Sequence, residues 1–295
     1  MKKNIIFTIL AVLLASLAES LNTVFSKIAL FTLPPMVYNS LRFFFASLII
    51  TPFLLTKQPH LRKPSLGTLA LCAIFTLDTV FFAYGVHLIT ATLTSLLLAT
   101  APLLTSVLAY LLTRERISIK SLTGIIMGGI GTVLIILFPG IGQISISNGR
   151  ISGSLLVGAS VLALVIYSIL SKPFQERSSP LYLTAIFCYL TMLVALILAL
   201  PDFIHPYWLK TTTPLTWIST ISVGLTMALF SLFYQYSIQY GSPLLASLSG
   251  YLTPLLTFVI ASFSLGEYLT PDLLFGALFI LAGAYLVTSA TNVQG

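Results

Sequence analysis

The 295-residue sequence predicts an all-α membrane protein of ten transmembrane helices, built as two inverted five-helix repeats. Three observations lead there. Charged residues make up only 7% of the chain and hydrophobic residues 57%, against roughly 25% charged in a soluble domain, and mean hydropathy is +1.04. Apolar runs of about 20 residues, the length that crosses a bilayer, follow one another with short polar breaks. The chain also repeats itself, because residues 90–135 align without a gap on residues 242–287 at a constant offset of 152.

Across the two copies Leu93/Leu245, Ser95/Ser247, Pro102/Pro254, Leu103/Leu255, Leu104/Leu256, Thr105/Thr257, Ala109/Ala261, Glu115/Glu267, Gly124/Gly276 and Gly131/Gly283 are identical. Leucines carry little weight in so apolar a chain. A proline, a glutamate and two glycines in register carry more. Fainter matches extend the pattern: Ser26-Lys27 and Pro35 pair with Ser171-Lys172 and Pro180, and Tyr84 pairs with Tyr236. The units are then residues 1–140 and 150–295, joined by the Gly- and Ser-rich segment 139–149.

Read between Pro, Gly and charge breaks, the first five spans fall near 4–25, 34–55, 66–87, 91–112 and 120–138. The second five fall near 152–171, 180–200, 215–239, 242–265 and 271–290. Lys2, Lys3, an apolar run and Ser16-Leu17-Ala18 have the outline of a signal peptide. The apolar run continues to Phe25, however, which is long enough to span, so a retained first helix is expected. Very short connections near Thr90 and Gly241 make the helices they join antiparallel neighbours.

Basic residues set orientation. Lys2, Lys3, Lys57, Arg62, Lys63, Arg114, Arg116, Lys120, Lys172 and Arg177 fall on one side, and only Lys27, Arg150 and Lys210 on the other. Both termini are therefore expected in the cytoplasm. The offset between copies spans five helices, an odd number, and Glu115 is flanked by arginines while Glu267 is not. Both facts turn the copies upside down relative to each other. Inverted repeats of this kind belong to transporters that rock around a central site.

The net charge of +7 would suggest nucleic acid in a soluble protein. Here the basic residues sit at helix ends, and no nucleic-acid partner is expected. Cys72 and Cys188 have no CxxC partner, and His60, His87 and His205 are scattered, so neither a metal nor a cofactor is expected.

Three charges lie well inside spans: Glu19, Arg42 and Asp78. Each costs about 2.5–3.5 kcal/mol at a helix centre and is expected to face inward, either as a polar site near the midplane or as an ion pair locking helices. Two acids and one base leave one carboxyl without a partner, a candidate proton carrier. Glu19 is the first candidate and Asp78 the second, with Glu19 alternating between a proton and a cationic part of a substrate. The other reading pairs Glu19 with Arg42 or Lys27.

Asn22 and Ser26 share a helical face with Glu19. Later in the chain Tyr234, Gln235 and Tyr236, with Gln239 and Tyr240, gather amides and phenols. They suit either a wall that hydrogen-bonds and stacks on substrate or an interfacial aromatic belt. Tyr84 and His87 read as interfacial. Pro102 and Pro254 fall mid-span, where proline removes a backbone bond, and paired breaks point to the pathway; both are expected hinges or kinks. Glu115 and Glu267 are expected in loops, capping a helix or pairing with a base. Gly124, Gly128, Gly131, Gly276 and Gly283 permit close helix approach.

The doubled pattern Pro102, Glu115, Gly124, Gly131 and Pro254, Glu267, Gly276, Gly283, with Leu33-Pro34-Pro35, Arg42-Phe43 and Ala46, resembles the EamA family of the drug/metabolite transporter superfamily. The resemblance covers nearly the whole chain. It implies a ten-helix bundle that exports or exchanges small metabolites by alternating access. One departure stands out: Glu19-Ser20 occupies the place, ahead of Asn22, where that family often has Trp-Gly.

The expected function is a secondary transporter of a small organic metabolite, such as an amino acid or related amphipathic compound, in the plasma membrane (the inner membrane of a bacterium). Proton coupling and a homodimer are both left open. The alternatives are a membrane-embedded enzyme acting on a lipid-linked substrate, or a receptor or structural protein. The enzyme would need clustered carboxylates and histidine on one face, and the acids here are spread over separate helices. The receptor would need no inverted halves.

Overall fold

The structure, a computed structural model, describes residues 2–57, 63–113, 118–137, 148–175, 178–268 and 270–291. Glu115 with its flanking arginines, His60, Arg62, Arg177 and most of the 139–149 link lie outside them. Every regular element among the described residues is helical. In chain order these are α1 (Lys2–Ala29), α2 (Pro35–Lys57), α3 (Leu66–Leu88), α4 (Ala91–Leu98), α5 (Ala101–Thr113), α6 (Ile119–Leu137) and α7 (Asn148–Gln175). They continue with α8 (Pro180–Leu198), α9 (Leu200–Ile204), α10 (Pro214–Tyr240), α11 (Pro243–Ser247), α12 (Ser249–Leu265) and α13 (Pro271–Thr291). A single 3-10 turn, Tyr207–Lys210, precedes α10.

Nine stretches among the described residues are long and apolar enough to cross a membrane, and α13 contributes a shorter apolar run, Leu273–Ser289. The expected ends hold to within a few residues, and the starts have a common chemistry. Ser179, Thr213 and Ser242 each stand just before a proline and accept a bond from the backbone N–H three residues on. The hydroxyl satisfies one N–H that the helix leaves open, and the proline has none to satisfy.

Two spans read as single helices are each broken. Ala99 and Thr100 separate α4 from α5, and Leu248 separates α11 from α12. Pro102 stands on the first turn of α5, directly after its break, whereas Pro254 lies inside α12. Hydroxyls occupy the carbonyls around both breaks. Thr100 Oγ1 donates to Leu97 O at 2.7 Å, Ser16 Oγ from α1 to Ser249 O at 3.3 Å, and Ser20 Oγ to Thr253 O at 3.2 Å. The breaks face each other, since a Cβ on Gly250 would lie 3.3 Å from both Ala99 Cα and Leu98 O.

The helices pack chiefly in four pairs: α1 on α10, α3 on α7, α2 on α8, and α6 on α13. The last pair is a glycine seam. Gly124 meets the Gly283 carbonyl and Gly131 meets Gly276, so α6 and α13 run antiparallel with their backbones in contact. A Cβ on Gly131 would fall 2.7 Å from both Gly276 O and Phe279 Cβ, while one on Gly129 would meet nothing within 4 Å. Gly131→Ala is therefore expected to force the helices apart at a cost of about 1–3 kcal/mol. Gly129→Ala is expected to be neutral or slightly stabilising, alanine being the better helix former. Thermal unfolding of the two purified variants in the same detergent checks the contrast.

Candidate functional site

Glu19 on α1, Arg42 on α2 and Asp78 on α3 are 9%, 3% and 7% exposed. All three line one cavity, together with Phe75, Thr79 and Phe82 of α3, Leu98 of α4, Leu164 of α7, and Met227 and Phe230 of α10. A second cavity shares Glu19, Leu98, Leu164 and Phe230 with the first. It runs on to Ala101, Tyr234, Ser247, Ser249, Gly250 and Thr253, at the place where the two helix breaks face each other.

Arg42 makes no ion pair with any described residue. Nη2 donates to Asn22 Oδ1 at 3.0 Å and lies 2.7 Å from Met227 Sδ. The guanidinium carbon sits 5.8, 5.2 and 5.2 Å from the ring centres of Tyr38, Phe43 and Phe82. Aromatic faces attract a cation, so the charge is held by soft groups. Nε and Nη1 have no hydrogen-bond partner. This corrects the expectation that one acid would be consumed by Arg42. Its charge acts on Glu19 and Asp78 through space, yet neither carboxylate bonds it.

Lys27 does not pair with Glu19 either: its Nζ donates to Val86 O at 2.9 Å and His87 O at 3.2 Å. Glu19 Oε2 is buried without a partner. Asp78 Oδ1 accepts from Ser160 Oγ of α7 at 2.5 Å.

Asn22 ties this centre together. Its Oδ1 receives Arg42, and its Nδ2 donates to Val223 O at 3.3 Å and Thr226 Oγ1 at 3.2 Å on α10. It orients the guanidinium and is absent from both cavity linings. Ser26, on the same face, bonds Tyr38 Oη at 2.5 Å.

The aromatic and amide group on α10 separates into three surroundings. Tyr234 lines the second cavity, with its hydroxyl 2.8 Å from Ser168 Oγ. Gln235 is buried between Tyr167 and Gln175 of α7, donating to the first and accepting from the second. Tyr236 stacks on Tyr240 with ring centres 6.1 Å apart, and Phe7 packs edge-on to both. The sequence-predicted residues thus brought together are Glu19, Asn22, Arg42, Asp78 and Tyr234. Gln235 and Tyr236 lie outside the two cavities.

Sequence reasoning missed Met227, Phe230, Leu164 and Ser160. Phe230 and Met227 fall on the helical face of Tyr234, one and two turns earlier, and that spacing could have found them. Nothing local marks Ser160 among the other hydroxyls of α7.

Chemically, two unspent guanidinium donors suit a carboxylate or another planar anion. The free oxygen of Glu19 suits a proton or an organic cation, and the aromatic and thioether walls suit an apolar group. Both halves of the chain contribute, so any solute held there touches each of them.

The sequence pattern of the EamA-like transporter family matches residues 6–137 and again 151–289. The chain is 29% identical over 166 residues to the uncharacterized transporter YetK of Bacillus subtilis (strain 168), an alignment covering 54% of this chain and 50% of YetK. The chain thus spans half the length of that relative. It is 22% identical over 281 residues to a protein named S-adenosylmethionine/S-adenosylhomocysteine transporter, from Chlamydia trachomatis serovar L2 (strain ATCC VR-902B / DSM 19102 / 434/Bu). That alignment covers 92% of this chain and 85% of the relative. A crystal structure superposes with a TM-score of 0.70 at 19% identity, over 96% of this chain and 98% of the other, which is agreement in fold. With the family pattern matched over most of its length, in two successive stretches, the chain belongs to the EamA-like transporter family of multi-pass membrane proteins.

Proposed function

We propose that the protein is a secondary transporter, an exporter or exchanger, that moves a small organic metabolite of the amino-acid kind across the plasma membrane by alternating access. The observation that carries this reading is the charge balance of the first cavity: two carboxylates and one guanidinium, none paired with another, walled by helices from both halves. A zwitterion completes it, with its carboxylate on the free donors of Arg42 and its ammonium between Glu19 and Asp78. The excess negative charge is offset by a proton on Glu19 or by a second positive charge on the solute. The apolar part of the solute occupies the second cavity, beside Ala101 and Phe230. The relative named for S-adenosylmethionine and S-adenosylhomocysteine agrees in kind, since both solutes carry an α-amino carboxylate and the first a further positive charge.

Alternating access follows from reading residues 1–140 and 150–295 as inverted halves. The glycine seam supports this, because Gly124 on Gly283 and Gly276 on Gly131 are one contact made twice. So do two lysines. Lys27 bonds the carbonyls of Val86 and His87, and Lys172 bonds those of Ile238 and Gln239, the matching residues at the offset of 152. The facing breaks before Pro102 and near Pro254 serve as hinges in this scheme. Both termini lie in the cytoplasm on the charge count.

Three outcomes follow. Glu19→Gln is expected to flatten the pH dependence of uptake into proteoliposomes; an unchanged profile would remove Glu19 as the proton carrier. Arg42→Gln is expected to weaken binding of α-amino acids roughly 30-fold or more, the cost of deleting one side of a buried charged contact, read by calorimetry on the purified protein. Ala101→Leu is expected to lower affinity for tryptophan at least roughly tenfold while glycine changes little, as a filled pocket discriminates by size. A proteoliposome assay separates the transporter reading from an enzyme, which would alter its substrate.

A further inference from the structure

The α3–α4 turn is gripped at both ends by charges from distant parts of the chain. On its carbonyl side Lys27 of α1 donates to Val86 O and His87 O. On its N–H side the Glu267 carboxylate takes two bonds, Ala91 N to Oε1 and Thr92 N to Oε2, both at 2.8 Å. Thr90 Oγ1 accepts the next N–H, that of Leu93. Each charge faces the helix end that attracts it, the cation at the carbonyl end of α3 and the anion at the N–H end of α4. Glu267 reaches this position because Gly266 ends α12 at φ 66°, a left-handed conformation that glycine adopts without strain. The two side chains also attract each other.

The second copy builds the same turn with one part missing. Lys172 holds Ile238 O, Gln239 O and also Gly241 O, and Ser242 Oγ accepts Leu245 N, as Thr90 does for Leu93. At the position of Ala91, however, stands Pro243, which has no N–H. Of the two N–H groups that Glu267 takes in the first copy, the second copy therefore offers only that of Leu244, and the matching glutamate, Glu115, lies outside the described residues.

We propose that Glu267 and Lys27 form the latch of one gate of the transport cycle. We further propose that this latch holds the protein at rest closed on the Lys27 face, the external one by the charge count. Glu267 acts as a positioning residue, tying the end of α12 to the start of α4 and leaving the solute cavities untouched. The inference rests on the alternating-access reading given above. Opening that face must break the two charge-assisted bonds that Glu267 makes to the start of α4.

The test uses the full chain in lipid nanodiscs, with Cys72 and Cys188 replaced by serine and spin labels on Tyr84→Cys of α3 and Phe263→Cys of α12. Electron spin resonance reads the separation of those helices at the latched face. The expected result is one short distance in the parent protein and a second, longer distance in Glu267→Ala, with the long population raised at least tenfold. Ala91→Pro, which gives the first copy the residue of the second, is expected to raise it by less, since proline is tolerated on a first helical turn.

A parent already mostly in the long distance, or a Glu267→Ala protein of unchanged distribution, would overturn the latch. Should Glu267→Ala not fold, an unchanged distribution in Ala91→Pro overturns it equally. Failure of the parent to transport any α-amino acid would count against the solute reading alone, because the distances are measured without solute.

Discussion

A bilayer interior offers no water to a broken backbone, so each peptide group there must find a partner within the protein. The whole molecule answers to that constraint. It is the reason every described element is a helix, and the reason the breaks between α4 and α5 and between α11 and α12 are lined with hydroxyls. Ser16 and Ser20 of α1, Thr100 and Ser249 close these breaks from the side. The irregular backbone in turn makes room for the second cavity, so satisfying the peptide groups and forming the solute space are one structural event.

Much of this was legible in the chain. Span positions followed from apolar length and from Pro, Gly and charge breaks, and the three charges within the membrane pointed to the cavity because hydrocarbon makes such groups costly anywhere else. The position of the breaks was not legible. Pro52, Pro173 and Pro254 all lie inside continuous helices, so proline by itself did not mark where a helix stops. Hydroxyls from α1 as well as local ones bond the carbonyls near the breaks, and contacts between α1 and α12 are not contained in one chain read linearly. Partner choice escaped for a related reason. Counting charges predicted an ion pair for Arg42, but the aromatic and thioether groups that hold it come from α2, α3 and α10 at once.

The two copies divide their labour. Elements that match across them, the glycine seam and the two lysine grips, form the frame. The charged cavity draws its carboxylates and its guanidinium from α1, α2 and α3 alone, while α7 and α10 supply Leu164, Ser160, Met227 and Phe230. In the proposed scheme, selectivity resides where the sequence repeat fails, and motion is referred to the places where it succeeds.

The manner in which Arg42 is held has a consequence for any anion that enters. In most buried sites a guanidinium arrives already spent on a carboxylate, and a ligand must displace that partner before it can bind. Here the cation leans on ring faces, a sulfur atom and one amide oxygen, with Nε and Nη1 idle. No internal bond has to be exchanged on entry and none has to re-form on departure. In a carrier that works as proposed above, the entering anion takes donors that the empty site leaves idle, so its gain on binding is not offset by a bond broken within the protein and must be given up again on release.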